Sequence, residues 1–82
     1  MTLDEMARSL RLQYEGAKRN EATLAIHLFG IDHAEEIREK GYLAKDIVER
    51  AGIVKGYASE LSKGIKLSDY VVRKPKEEEK HG

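Results

Sequence analysis

The chain is short, balanced in charge and free of cysteine, which limits what it can build. It has 82 residues, of which 15 are lysine or arginine and 15 are aspartate or glutamate, and it contains no cysteine. A chain of this length forms one domain with a small core, so we expect neither a large catalytic cleft nor a disulfide framework.

The sequence also lacks the signals of a leader, a membrane span or a catalytic centre. Its start, MTLDEMARSL, has neither the basic residues nor the apolar run of a signal peptide. No segment approaches the ~18 apolar residues of a membrane span. We recognise no nucleophile with its base, no paired carboxylates, no phosphate-binding loop and no set of metal ligands. We therefore expect a soluble, cytoplasmic protein that is not an enzyme and needs no cofactor or metal.

The first predicted helix begins where Thr2 and Glu5 form a capping box, a pairing that satisfies free backbone N–H groups at a helix start. Its apolar residues recur with the 3.6-residue period of an amphipathic helix: Leu3, Met6, Ala7, Leu10, Tyr14 and Ala17. Gly16 and the polar residues after it mark the end. Arg8 and Arg11 are expected to lie on a solvated face.

The segment 21–29 is apolar on nearly all sides, which indicates a short central helix. Asn20 is its predicted N-cap and Gly30 its predicted end. A strand is the alternative for the compact run LAIHLF, but Ala22 and Ala25 favour a helix. We expect His27 to be a partly buried packing residue with one hydrogen bond, because no serine, cysteine or second histidine stands at a useful spacing.

A third helix is predicted to begin at Asp32, which forms a second capping box with Glu35, and to end at Gly41 in the left-handed conformation. His33 and Glu36 form the one pair in this region that suggests a metal. Two residues fall short of the three or four converging ligands of a metal site, so we expect a solvated charged face instead.

The stretch 44–61, AKDIVERAGIVKGYASEL, has the layout of a helix-turn-helix, with a tight turn at Gly52. The second of its two short helices is predicted over 54–62, with Gly64 as a stop signal. The apolar positions that share the inner face are Ile47, Ala51, Ile53, Ala58 and Leu61.

These residues, and above all the phrase AGIVKGYASELSKG, resemble the helix-turn-helix of bacterial and phage transcriptional regulators, including the Cro and repressor type. Val48 and Val54 depart from that pattern, which favours a small residue and a hydroxyl-bearing cap at these places. Three predicted helices precede the motif. The expected fold is therefore all-α, a small bundle of about five helices over 1–72, with the helix-turn-helix at 43–63 and a charged, disordered tail at 73–82.

The resemblance implies a transcriptional regulator that reads the major groove of double-stranded DNA with the helix 54–62. A homodimer is one expected form, because a two-fold pair of such helices doubles the readout. On this interpretation the candidate DNA-binding residues are Lys55, Gly56, Tyr57, Ser59, Glu60, Lys63 and Lys66. Lysines bind phosphate or guanine, Tyr57 and Ser59 hydrogen-bond to bases or phosphates, Gly56 permits close approach, and Glu60 accepts from cytosine.

Other roles compete with these. In the alternative interpretation, Tyr57 is expected to pack on Tyr42 or the tail, Gly56 to do no more than lower the helix propensity, and Lys63 to interact with the helix dipole. Residues 41–66 hold five basic and three acidic side chains, whereas 21–39 hold one basic and five acidic side chains. The alternative function is therefore a helical protein–protein interaction module without DNA binding.

After Gly64, the run Tyr70–Val72 is β-prone and is expected to form an extended arm or a strand that pairs with a second subunit. Arg73 and Lys74 suit the DNA backbone, but the glutamates at 77–79 oppose such a contact. We give this end of the chain a supporting role at most.

Overall fold

The structure, a computed structural model, describes residues 1–74 and contains four helices there. They are α1 Leu3–Glu15, α2 Ala22–Lys40, α3 Ala44–Arg50 and α4 Tyr57–Leu67. The described part holds no strand, so the all-α prediction is confirmed, while the number of helices is four rather than about five. None of these helices is long and apolar enough to cross a membrane. The predicted tail from Pro75 onward lies outside the described residues.

α1 forms as the sequence predicts, because its signals are local. The Thr2 hydroxyl accepts a hydrogen bond from the Glu5 N–H at 3.1 Å, and the Glu5 carboxylate accepts one from the Thr2 N–H at 2.8 Å. The predicted inner stripe is buried at Met6, Ala7 and Leu10. The helix ends at Gly16, as predicted.

α2 is one continuous helix of 19 residues, whereas the sequence predicts two shorter helices separated at Gly30. Asp32, the predicted N-cap of the second, lies inside α2, and its carboxylate instead accepts a hydrogen bond from Arg73 at 2.6 Å. The N-cap of α2 is Glu21 rather than Asn20, which adopts a left-handed φ of 72°. Gly30 and Asp32 therefore lie inside a helix and do not mark helix ends.

The continuity of α2 is explained by its crossing with α4. A β-carbon on Gly30 would lie 2.7 Å from the backbone nitrogen of Ile65, and one on Gly64 would lie 2.9 Å from the Cα atom of His27 and closer still to its carbonyl oxygen. These distances are far below ordinary van der Waals contact, so the two backbones touch where neither has a side chain. Burial against α4 outweighs the weak helix propensity of glycine, ~1 kcal/mol relative to alanine. Gly64 is a packing residue inside α4, not the predicted stop signal.

The helix-turn-helix unit consists of α3, a turn over 51–56 and α4. Gly52 adopts the left-handed conformation expected at the turn, with a φ of 73°. Gly41 ends α2 in the same conformation, with a φ of 74°, which is also as predicted. α4 begins and ends later than the predicted range of 54–62.

Tyr70–Val72 form no strand within the described chain; the extended arm and the pairing with a second subunit stay predictions. The N–H of Val71 donates to the carbonyl of Leu67 at 3.1 Å, so the chain continues from the helix as a turn. This turn occupies residues 68–70, directly after α4, so only Val71 and Val72 of the β-prone run lie beyond it.

One apolar core joins the four helices and sets the position of α4. Its largest fully buried side chains are Met6, Leu10, Ile26, Phe29, Ile47, Val48 and Leu61. Val48, which departs from the small residue favoured at its place in the motif, is only 1% exposed and is accommodated in this core. α4 packs mainly against α2 and α3, contacts α1 through Tyr57, and presents its remaining face to solvent.

Candidate nucleic-acid interface

One face of α4 and of the turn before it is polar and exposed. Leu61 and Gly64 on the opposite face are buried, which fixes the rotation of the helix. We name the exposed face the basic stripe; it consists of Lys55, Ser59, Ser62, Lys63 and Lys66. Residues three and four apart share a helix face, so these side chains lie along one side. The stripe carries lysine and serine and no acidic side chain.

Several predicted site residues lie on this stripe: Lys55, Ser59, Lys63 and Lys66. Their contact with DNA stays a prediction. Ser62 is not among the predicted residues, although its spacing from Ser59 is the signal that places it there. Gly56 is the N-cap of α4, with no heavy atom within 4 Å of where its β-carbon would stand. It therefore lies on open surface and outside the helix interior, where glycine would lower stability.

Glu60 lies between His27 of α2 and Lys63 of the stripe. The His27 Nε2 atom lies 2.7 Å from one Glu60 carboxylate oxygen, and the Lys63 ammonium lies 3.5 Å from the other. The hydrogen bond from His27 is the main cause that holds the pKa of the Glu60 carboxyl below its usual value. Glu60 is thus half-buried and engaged by two side chains, and the contact with cytosine predicted for it stays a prediction. His27 is half-buried and hydrogen-bonded, as predicted.

Tyr57 is half-buried and packs its ring against Tyr14 of α1. The ring centres are 5.6 Å apart and the planes meet at 67°, an edge-to-face arrangement. The sequence suggests Tyr42 or the tail as packing partners, but the Tyr42 hydroxyl instead donates to the carbonyl of Met1 at 2.6 Å. Tyr57 thus connects the first turn of α4 to α1 and does not lie on the basic stripe.

Arg11 braces the turn of the helix-turn-helix from α1. Its Nη1 atom donates to the carbonyl of Ala51 at 2.8 Å and reaches the carbonyl of Gly52 at 3.4 Å. Its Nε atom donates to Glu15 at 2.7 Å, which holds the guanidinium in place. The sequence assigns Arg11 to a solvated face, because partners 40 residues away leave no local signal. The angle between α3 and α4 is therefore supported by a third helix.

A shallow cleft of about 350 Å³ separates the start of the basic stripe from α3. Its lining residues are Lys45, Asp46, Glu49, Ile53 and Lys55. The two carboxylates offset the two lysines, so this cleft adds little net charge. The cationic character of this side of the molecule therefore comes from α4.

His33 and Glu36, the pair that could suggest a metal, have separate partners. The His33 ring stacks on Phe29 with 4.0 Å between ring centres, and its Nδ1 atom lies 3.0 Å from the Phe29 carbonyl oxygen. Glu36 pairs with the terminal ammonium of Met1, and this pairing is the main cause of the lowered pKa of its carboxyl. Within residues 1–74 no group of three or more potential ligands converges on a metal position.

Comparison with known proteins extends the resemblance beyond the motif. A family model described as an HTH-like domain matches residues 2–74, which include all four helices. No curated protein and no solved structure matches the chain. Because the family model covers most of the sequence, the chain belongs to the family of HTH-like domains.

Proposed function

We propose that the chain is a cytoplasmic transcriptional regulator of the Cro and repressor type, and not an enzyme, that binds double-stranded DNA through the basic stripe. The observation that carries the proposal is the stripe itself, which lines the second helix of the helix-turn-helix with lysines and serines. Glu60, the nearest carboxylate, is engaged by His27. Glu60 also pairs with Lys63, and Asp46 and Glu49 line the cleft beside Lys55. The stripe therefore presents lysines and hydroxyl groups whose positive charge these carboxylates partly offset.

The dimensions of α4 suit the major groove. A helix with its side chains is about 10–12 Å across, which matches the groove width of about 12 Å, and the 11 residues of α4 extend about 16 Å along the groove. Lysines at both ends of the stripe bind phosphates or guanine edges, and the Ser62 hydroxyl donates to base edges between them. The Ser59 hydroxyl donates to the Gly56 carbonyl at 3.1 Å, so its oxygen is left to accept from a base. Gly56 leaves the start of the helix without a side chain, so the backbone approaches the bases closely.

We further propose that two copies act as a symmetric pair. A single stripe reaches only a few base pairs, and a two-fold pair reads two half-sites about one helical turn of DNA apart. Such a pair recognises a palindromic site, and its affinity and selectivity exceed those of one copy.

The test compares DNA binding by two double variants that lose the same charge. Lys55→Gln with Lys66→Gln removes two lysines of the stripe, and Arg8→Gln with Lys40→Gln removes two cations elsewhere. Fluorescence anisotropy with mixed DNA fragments at several salt concentrations gives the slope of log K against log salt. We expect the stripe variant to reduce the slope by about two units, and the control to leave it unchanged. NMR shifts on titration should concentrate on 55–66.

Equal effects of the two variants, or an absence of shifts on α4, would contradict the proposal. Salt-insensitive binding to a protein, without DNA affinity, would favour the alternative of a protein–protein interaction module.

A further inference from the structure

Contacts from one side of α1 reach all three parts of the helix-turn-helix. Asp4 pairs with Arg50 at the end of α3. Arg11 donates to the turn, and Tyr14 packs against Tyr57 at the start of α4. Spacings of about seven and three residues keep side chains on the same side of a helix, so α1 meets the motif along one face. The motif therefore rests on a helix that lies outside it in the sequence.

The contact of Arg11 is the one that holds the backbone of the turn. Its Nη1 atom donates to the carbonyl of Ala51 and reaches that of Gly52. Within residues 1–74 no backbone N–H donates to either carbonyl. They directly follow α3, and the end of a helix leaves such acceptors without partners and favours a cation. Without the guanidinium, the two carbonyls would have only water as a partner.

The turn leaves room for this side chain, and α1 holds the side chain in it. A β-carbon on Gly52 would stand 2.8 Å from the Arg11 Nη1 atom, so the guanidinium fills the space beside the glycine. The Nε atom donates to Glu15 on the same helix at 2.7 Å. Two nitrogen atoms of one planar group thus make the two contacts, which the single nitrogen of a lysine does not reproduce. The contact depends on the shape of arginine as well as on its charge.

We infer that Arg11 is a positioning residue for DNA recognition, which sets the angle of α4 through the turn and does not itself contact DNA. The inference rests on the proposed function for the role of this angle. A recognition helix reads base edges only when it enters the major groove in the correct orientation. A change of the angle therefore weakens DNA binding even though every side chain of the basic stripe is present.

Two substitutions of Arg11 separate position from charge. Arg11→Gln removes the charge and the contacts, whereas Arg11→Lys keeps the charge. The probe is a DNA duplex selected from a random pool by its binding to the wild type, and fluorescence anisotropy at several salt concentrations gives affinity and salt slope. Both variants should bind about tenfold more weakly, the factor that corresponds to the loss of about one hydrogen bond. Neither should change the slope, because no phosphate contact is lost.

Arg38→Gln is the matched control. Arg38 donates to the Asp69 carboxylate at 2.9 Å and to the carbonyl of Ile65 at 3.1 Å, at the end of α4 away from the turn. The substitution removes the same charge and the same kinds of hydrogen bond, while the close crossing of α2 and α4 still holds that end. DNA affinity should therefore stay within about twofold of the wild type.

Residual dipolar couplings, measured without DNA, report the angle between α3 and α4. We expect the angle to change in both Arg11 variants and to stay the same in Arg38→Gln. Circular dichroism checks that each variant keeps its helices.

An Arg11→Gln variant with the angle or the DNA affinity of the wild type would overturn the inference. So would an equal loss of affinity in Arg38→Gln. Wild-type affinity in Arg11→Lys, together with a slope reduced by about one unit in Arg11→Gln, would mean that Arg11 binds phosphate directly. If the wild type has no affinity for DNA, the proposed function fails, and the couplings alone decide whether Arg11 sets the angle.

Discussion

Replacing Gly30 by alanine should loosen the crossing of α2 and α4, although alanine is the better helix former. The added methyl group would stand 2.7 Å from the nitrogen of Ile65 and 2.9 Å from the Cα and carbonyl carbon atoms of Gly64. These atoms belong to the backbone of α4, so no side-chain rotation relieves the overlap. The two helices must separate, and the buried side chains between them lose contact.

The net cost follows from two opposing effects. Alanine in place of glycine contributes about 1 kcal/mol of helix propensity. Overpacking costs about 1–3 kcal/mol, and a rigid backbone neighbour puts Gly30 at the upper end, so the net loss is about 2 kcal/mol. For a domain of this size that loss lowers Tm by roughly 8–16 °C. Gly64→Ala should cost more, because its methyl group would overlap three backbone atoms of His27, the carbonyl oxygen most severely.

Urea and thermal unfolding, followed by circular dichroism, measure these changes. Gly56→Ala is the matched control, because its methyl group would meet no heavy atom within 4 Å and the residue has a φ of −59°. It should change the free energy of unfolding by no more than about 0.5 kcal/mol. A Gly30→Ala variant as stable as the wild type would refute the close crossing, because helix propensity would then be the larger effect.

Three further substitutions test the turn and the contacts of α4. Gly52→Ala places a β-carbon at a φ of 73° and 2.8 Å from the Arg11 guanidinium, so urea denaturation should show a loss of about 1–3 kcal/mol. Arg11→Gln removes hydrogen bonds to the turn and should cost about 1 kcal/mol by the same assay. Arg8→Gln on the same helix should have almost no effect, and equal losses would contradict the brace. Glu60→Gln removes a carboxyl whose pKa is lowered in the folded protein. Such a group stabilises the fold above its unfolded pKa, and the contribution is lost as the pH falls through its folded pKa. Below about pH 4.5 the Tm of the wild type should therefore fall more steeply than that of the variant, and parallel curves would refute the contact with His27.

Local signals are sufficient where the atoms concerned lie within one or two turns of the chain. The capping box of Thr2 and Glu5 needs only the first helical turn, so the start of α1 follows from the sequence. The left-handed ends at Gly41 and Gly52 likewise depend on backbone conformation that glycine adopts easily. The inner face of α4 follows from the helical period, and it places most of the basic stripe.

Contacts between distant segments decide the rest. Gly30 and Gly64 resemble helix ends because glycine is a poor helix former, but their lack of side chains permits the crossing of α2 and α4. Helix geometry alone leaves Tyr57 and Glu60 free to face outward. Their partners come from α1 and α2, and the contact of Glu60 with His27 spans 33 residues of sequence. The spacing of apolar residues along the sequence gives no information about a contact between segments so far apart.

Because α2 is one unbroken helix, it supports α4 along its whole length. It holds Glu60 through His27 near one end of α4 and Asp69 through Arg38 beyond the other. Two short helices joined at Gly30 would have provided a hinge between these points. The orientation of the basic stripe relative to the rest of the chain is therefore fixed along the whole of α4. In a symmetric pair of such chains, a change in the spacing of the half-sites must be accommodated by the DNA or by the contact between the copies, because α2 has no joint that lets the stripe move.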